Sequence, residues 1–324
     1  RRAIEDDENV QLVVLQRTAA NRFMRFAVDS AGELADNFPR TRDELFRYRA
    51  LILGSVEASF FTHDQLRMIA DFVSVRGGSL LMLGGPRALA EGGWAGTPVA
   101  EVLPVTLPQP AGGSYFQEIR IRPTRDGAAH AVTRLAARTD SAAAVWQRLP
   151  PLTVFNRVGR AKPGASVLLT GEADDGDHIV LAAQRYGRGQ SVVFTPHDSW
   201  LWQMHADVAV DDMSHETFWR QMLRWLVDGV PRQVVASVDR DRVSTGEPLR
   251  LTAQVDDERY IGVNGAEVIA RVTGPSGTTS EVPLSWTIDR DGAYAASFSA
   301  GEEGLHRVDV VATVDGRTIT GEPA

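Results

Sequence analysis

Cysteine is missing from all 324 residues of this chain. Disulfide bonds, thiolate nucleophiles and cysteine-ligated metals are thereby excluded. The compartment stays open, since cysteine-free chains suit both the cytosol and a bacterial cell envelope. Lysine is nearly missing too: Lys162 stands alone and arginine carries the rest of the positive charge, a bias of GC-rich coding rather than a functional signal. Acidic residues outnumber basic ones, 42 to 34, for a net charge of −8. A nucleic-acid partner would need a basic face, so none is expected. No apolar run approaches the roughly 20 residues of a membrane span. No signal peptide is visible, and the opening Arg1-Arg2-Ala3 gives the expectation of a piece excised from something longer.

What is present has the composition of ordinary globular domains, 43% hydrophobic and 23% charged, in a length that suits two of them. The stretch from Arg49 to Gly96 reads as strand, helix, strand and glycine-rich turn. Ala50–Leu53 and Ser79–Leu83 are short apolar runs closed by glycine, as in strands buried on both faces. Thr62 caps a helix with Leu66, Ile69, Ala70 and Val73 on one face, and Arg76 and Gly77 supply stop signals in its last turn and just beyond. This is a parallel βαβ unit, whose ligands gather at the carboxyl ends of the strands. Those ends are Gly54-Ser55-Val56-Glu57 and Gly84-Gly85-Pro86-Arg87.

Val10–Leu15 is a further buried-strand candidate behind the acidic cluster Glu5–Glu8, which reads as a solvated loop. Thr41 and Glu44 make a capping box. From Val99 to Pro163 prolines cluster and periodicity fades, so Glu118–Arg122 is expected as a strand and the remainder as an insertion over the sheet edge. Ser166–Thr170 and Ile179–Ala183 read as an antiparallel pair, followed by the tight turn Tyr186–Gly189 and an apolar strand, Ser191–Thr195. An irregular loop, Pro196–Trp202, leads to a helix capped by Ser214 that packs through Phe218, Trp219, Met222, Leu223 and Leu226. Beyond Gln233, Leu249–Val255, Glu267–Val272, Tyr294–Phe298 and His306–Val314 alternate apolar and polar residues between turn signals. That spacing suggests an immunoglobulin-type β-sandwich.

Taken in order, LILGSVEASFFTHDQLRMIADFVSVRGGSLLMLGG, LPPL, KPGASVLL, YGRGQSVVF and HETFWRQMLRWLV resemble the glutamine-amidotransferase-like domain of large bacterial membrane proteins. The resemblance covers roughly Arg1 to Pro231. It implies an α/β domain of flavodoxin or class I amidotransferase-like, three-layer architecture at residues 1–231, followed by an all-β immunoglobulin-like sandwich at 232–324. It also implies a soluble region of a membrane-anchored protein on the periplasmic or extracellular side of the bacterial cell envelope. Its partners would be other envelope proteins or domains of the same protein, with a small molecule or sugar as possible ligand.

In that family the nucleophile is a cysteine on a tight turn after a central strand, with His and Glu partners after a late strand. By position the turn falls at Gly84-Gly85-Pro86 and the partner loop at Thr195–Asp198. Glycine and proline offer no nucleophile, so glutamine hydrolysis through a thioester is not expected. His197, Asp198 and Glu57 remain the candidates for catalysis, with Ser55 and Ser199 as replacement hydroxyls outside any G-x-S-x-G elbow. The bland reading of His197 is a loop histidine satisfied by hydrogen bonds. Gly84, Gly85, Arg87, Ser55, Trp94 and Trp200 are the ligand-binding candidates, with Trp202 also placed where an indole could stack on a sugar. His205, Asp207, Asp211, Asp212, His215 and Glu216 lack the fixed spacing of a metal set, so neither metal nor cofactor is expected.

Overall fold

A hairpin opens the part of the chain that the computed structural model describes, which is residues 10–19, 22–109, 114–135 and 142–321. Strands β1 (Val14–Ala19) and β2 (Arg22–Phe26) pair antiparallel and stand apart from the larger sheets. The expected buried strand at Val10–Leu15 is thus displaced: Val10 and Leu12 touch the core, but the strand itself carries Gln16, Arg17 and Thr18 and is mostly accessible. The acidic cluster Glu5–Glu8 lies outside the described residues. The chain divides into two compact units, Arg1–Val230 and Pro231–Ala324.

In the first unit Thr41 closes a capping box with Glu44 at the start of α1 (Arg42–Phe46), which delivers the chain to β3 (Ala50–Gly54). Thr62 does the same with Gln65 for α2 (His63–Ser74), whose Leu66, Met68, Ile69, Phe72 and Val73 are buried. Burying side chains of this size contributes about 1.5–3 kcal/mol each, which fixes the helix on the sheet. The helix stops at Ser74, so Arg76 lies past its end rather than in its last turn. Arg76 is buried, and its Nε donates to the carbonyls of Phe46 (3.1 Å) and Tyr48 (3.0 Å). A buried guanidinium needs such acceptors. Gly77, at φ +83°, turns the chain into β4 (Ser79–Leu83), which pairs parallel with β3.

The proline-rich stretch is a working part of the sheet, not an insertion over its edge. It forms α3 (Pro98–Val102), β5 (Ser114–Pro123), α4 (Arg125–Ala129), α5 (Ala142–Arg148) and β6 (Leu152–Asn156). Strands β7 (Ser166–Ala173), β8 (Gly176–Tyr186) and β9 (Gly189–Phe194) follow, then the short α6 (Leu201–Met204) and the long α7 (Ser214–Val227). The seven-stranded sheet runs β3-β4-β9-β8-β7-β5-β6, so β5 and β6 make one edge. Only β3, β4 and β9 are mutually parallel; every other neighbouring pair is antiparallel. The sheet is therefore mixed rather than wholly doubly wound.

Helix α7 shares a core with Leu81, Val192 and Phe194 through Phe218, Met222, Leu223 and Leu226. The alternate residues Leu80, Met82 and Val193 are also buried and point to the other face, where α2 lies against β4 and β9. That makes three layers. Met213, not Ser214, holds the cap position of α7, and Asp212 Oδ1 accepts from the Ser214 amide at 2.8 Å.

The second unit is entirely antiparallel. Its strands are β10 (Val234–Val238), β11 (Pro248–Val255), β12 (Glu267–Thr273), β13 (Thr279–Trp286), β14 (Ala293–Ser299), β15 (Arg307–Val314) and β16 (Arg317–Thr320), in the order β10-β11-β14-β13-β12-β15-β16. The four strands expected from alternation are β11, β12, β14 and β15. Strand β13 pairs with β12 through Thr279–Leu284 and with β14 through Ser285 and Trp286. Val234, Leu251, Val255, Val268, Ala270, Tyr294 and Val310 fill the core.

Candidate functional site

The sheet directions bring the ends of β3, β4, β9 and β6 to one edge, and Asn156 joins them there. It is the last residue of β6 and is fully buried. Its backbone amide donates to Thr195 O at 3.1 Å, just past β9. Its side chain faces the turn after β4, where Oδ1 accepts from the Gly85 amide at 2.8 Å and Nδ2 donates to Gly85 O at 3.2 Å. Gly84 donates to Phe194 O at 2.7 Å. A Cβ on Gly84 would sit 2.0 Å from Thr195 O, so only glycine fits between these strand ends.

The same amide side chain binds His197 and Glu91. Nε2 of His197 donates to Asn156 Oδ1 at 2.8 Å, and Asn156 Nδ2 donates to Glu91 Oε2 at 2.8 Å. A carbonyl oxygen cannot donate, which fixes the proton of His197 on Nε2 and leaves the lone pair on Nδ1. The His197 pKa lies below its ordinary 6.5, chiefly because burial penalises the imidazolium, with Asp198 opposing. Glu91 is pushed up, first by burial, against the hydrogen bond from Asn156. Glu91 Oε1 is buried with no hydrogen-bond partner among the described residues.

The remaining candidates point elsewhere. Asp198 Oδ2 accepts from the Thr153 amide (2.7 Å) and hydroxyl (2.8 Å), so this buried carboxylate pins β6 and does not orient His197. Glu57 pairs with Arg17 at 2.6 Å, which first among several causes holds its carboxyl below the usual range; Arg87 adds to it. Ser55, just after β3, has φ +49°, a left-handed conformation uncommon for a residue with a side chain. A Cβ on Gly85 would lie 2.7 Å from Ser55 Cβ, so the two turns touch.

A cavity of about 1930 Å³ flanks β3. Ser55, Glu57, Arg17 and Arg87 line it, whereas Gly84, Gly85, Asn156 and His197 do not. The predicted residues are thereby split between an open cavity and a hydrogen-bonded cluster behind it. The tryptophans are split too. Trp94 is buried, with Nε1 donating to Val56 O at 2.9 Å, and Trp202 is buried among Trp146, Phe194 and Phe218; Trp200 is 52% exposed. Flat indole faces lining one groove are therefore not formed by these three. Among the described residues no group of three or more histidines and carboxylates is placed to hold a metal ion.

Sequence reasoning missed Asn156. Its only local signal is a polar residue ending an apolar strand, LTVFN, after Pro150-Pro151. Glu91 was visible only as part of a glycine-rich turn.

Residues 14–228 match the family model GATase1_like, described as "Putative glutamine amidotransferase". No curated protein matches. Among solved structures, a cytoplasmic protein of Salmonella typhimurium aligns at 18% identity and a TM-score of 0.45, over 66% of this chain and 94% of its own. A second cytoplasmic protein, from Salmonella typhimurium LT2, aligns at 21% identity and 0.45, over 66% and 95%. The expected envelope placement is not carried further: both neighbours are titled cytoplasmic, and no helix among the described residues is long and apolar enough to cross a membrane.

Proposed function

This chain belongs to the glutamine-amidotransferase-like family, and from that premise we propose that its first unit is a binding domain that keeps the family framework without glutaminase chemistry. One observation carries the reading. Where a thiol would stand after β4 there is Gly84-Gly85-Pro86, and Asn156 occupies both backbone groups of Gly85 as well as Nε2 of His197. A thioester route needs a thiolate there, and the chain has none. The ligand would be a small anionic or polyhydroxylic molecule entering the cavity beside Ser55 and Arg87. The all-antiparallel second unit reads as an immunoglobulin-like sandwich, supported by the crossing of β13 between β12 and β14, and fits a role in protein interaction.

The test is ammonia release from purified protein with glutamine, read by a coupled dehydrogenase. Release indistinguishable from the heat-inactivated control is expected. Glutamine-dependent release that disappears in His197→Gln would overturn the reading.

A hydrolase with a hydroxyl nucleophile is the second reading, favoured by the left-handed Ser55 at a strand end. Against it, Asp198 and Glu57 are engaged with Thr153 and Arg17. Covalent labelling of Ser55 by a fluorophosphonate, absent in Ser55→Ala, would support it over the binding role.

A further inference from the structure

Beyond that cavity, the segment joining β9 to α7 carries exposed apolar residues without a purpose in the fold. Trp200 is 52% exposed, Met204 72%, Val210 105% and Met213 52%. Trp200 and Met204 are joined by a backbone hydrogen bond of 3.0 Å across the turn of α6, which places them one above the other on one face. Val210 and Met213 follow within the same connection. Buried neighbours such as Trp202 anchor the segment to the core, so the apolar tips are presented from a fixed base.

The formal charge along this segment has one sign. From Gly189 to Trp219 there is no arginine or lysine, while Asp207, Asp211, Asp212 and Glu216 fall among or just beyond the apolar residues. The Asp207 side chain is 89% exposed. Exposed aromatic and methionine side chains with a charged rim are the composition of a docking patch.

We propose that the connection from Trp200 to Met213 is the docking surface for a basic amphipathic segment of a partner protein, whose apolar side chains meet Trp200, Met204 and Val210 and whose arginines or lysines meet Asp207, Asp211 and Asp212. Charge complementarity selects this occupant. An anionic lipid surface would be repelled by the aspartates. A second copy of this chain, with its net charge of −8, would bring the same acids face to face.

The experiment titrates the full chain into a fluorescein-labelled 18-residue peptide of leucine and lysine patterned as an amphipathic helix, read by polarisation. Three companions are a same-composition peptide without an apolar face, a leucine–glutamate analogue, and phosphatidylglycerol vesicles. Binding of the patterned cationic peptide is expected, at least tenfold weaker in Trp200→Ser/Met204→Ser/Val210→Ser and in Asp207→Asn/Asp211→Asn/Asp212→Asn. Retained circular dichroism in both variants ties the loss to the surface. Equal binding of the patternless peptide, or undiminished binding after the apolar substitutions, would reduce the effect to bulk charge and overturn the proposal. So would binding to the vesicles, or self-association lost in the apolar variant.

Discussion

Nε2 of His197 donates to Oδ1 of Asn156 across 2.8 Å, and that one contact decides what the imidazole can do. The nitrogen facing the glycine turn is spent on a neutral amide, and the lone pair is turned the other way. A histidine bonded through a carboxylate would be a stronger base; here the orienting group is uncharged.

Removing that amide should be expensive. Asn156→Ala strips partners from the Gly85 amide, from Glu91 and from His197 together. Each buried group left unsatisfied costs about 1–3 kcal/mol, so a loss of about 3–5 kcal/mol from the first unit is expected. Urea unfolding followed by intrinsic fluorescence measures it. A loss under about 1 kcal/mol would mean that the cluster is not closed as described.

The glycine pair should respond unequally to substitution. Gly84→Ala drives a methyl to 2.0 Å from Thr195 O, a backbone atom fixed between strands. Gly85→Ala meets the Ser55 side chain instead, at 2.7 Å from Cβ and 2.8 Å from Oγ, on a more accessible turn. About 3 kcal/mol or more is expected for Gly84→Ala, and about 1–2 for Gly85→Ala. Gly84→Cys should fail to create a glutaminase for the same steric reason, which thermal melts and the ammonia assay check together.

The contrast between these positions indicates how much the sequence could reveal. The β3–α2–β4 unit was legible because its apolar spacing, capping threonines and closing glycines are local. The four alternating strands of the second unit were legible for the same reason. The rest is set at a distance: Asn156 meets Gly85 across 71 residues and His197 across 41. Proline-rich flanks hid β6 and the first part of β5, of which only Glu118–Arg122 was expected, and β13, with Thr279, Ser280 and Glu281 exposed, turns only Val282 and Leu284 to the core, too few to show a period. Arg76, buried beneath two carbonyls, reads locally as an ordinary helix-ending arginine. The adjacency of His197 and Asp198 suggested a pair, whereas neighbouring residues on a turn direct their side chains apart.

Stability of the first unit should fall with acid before the carboxylates titrate. His130, His178, His197 and His215 all lie below their ordinary 6.5, in each case mainly through burial. As pH falls past 6.5 the unfolded chain takes up protons that the folded state resists. Stability fully present above 6.5 is therefore lost toward the lower folded values. Glu91 works the other way, since its raised pKa contributes stability present below 4.5 and lost as pH rises through the folded value. Urea midpoints should decline from pH 7.5 to 5.5, with a shallower slope in His197→Gln. A flat profile would place these imidazoles in solvent.

The sharpest separation between a pinned carboxylate and a catalytic one comes from Asp198. Its Oδ2 holds both the amide and the hydroxyl of Thr153. Asp198→Ala leaves both without an acceptor and should cost about 2–4 kcal/mol, while Asp198→Asn keeps a carbonyl oxygen in place and should cost less. If Asp198 only anchors β6, neither change moves the proton of His197 from Nε2, and long-range nitrogen-15 spectra will report the same tautomer in all three proteins. A tautomer switch in Asp198→Asn, with the stability loss small, would instead place the carboxylate in charge of the imidazole and revive the hydrolytic reading.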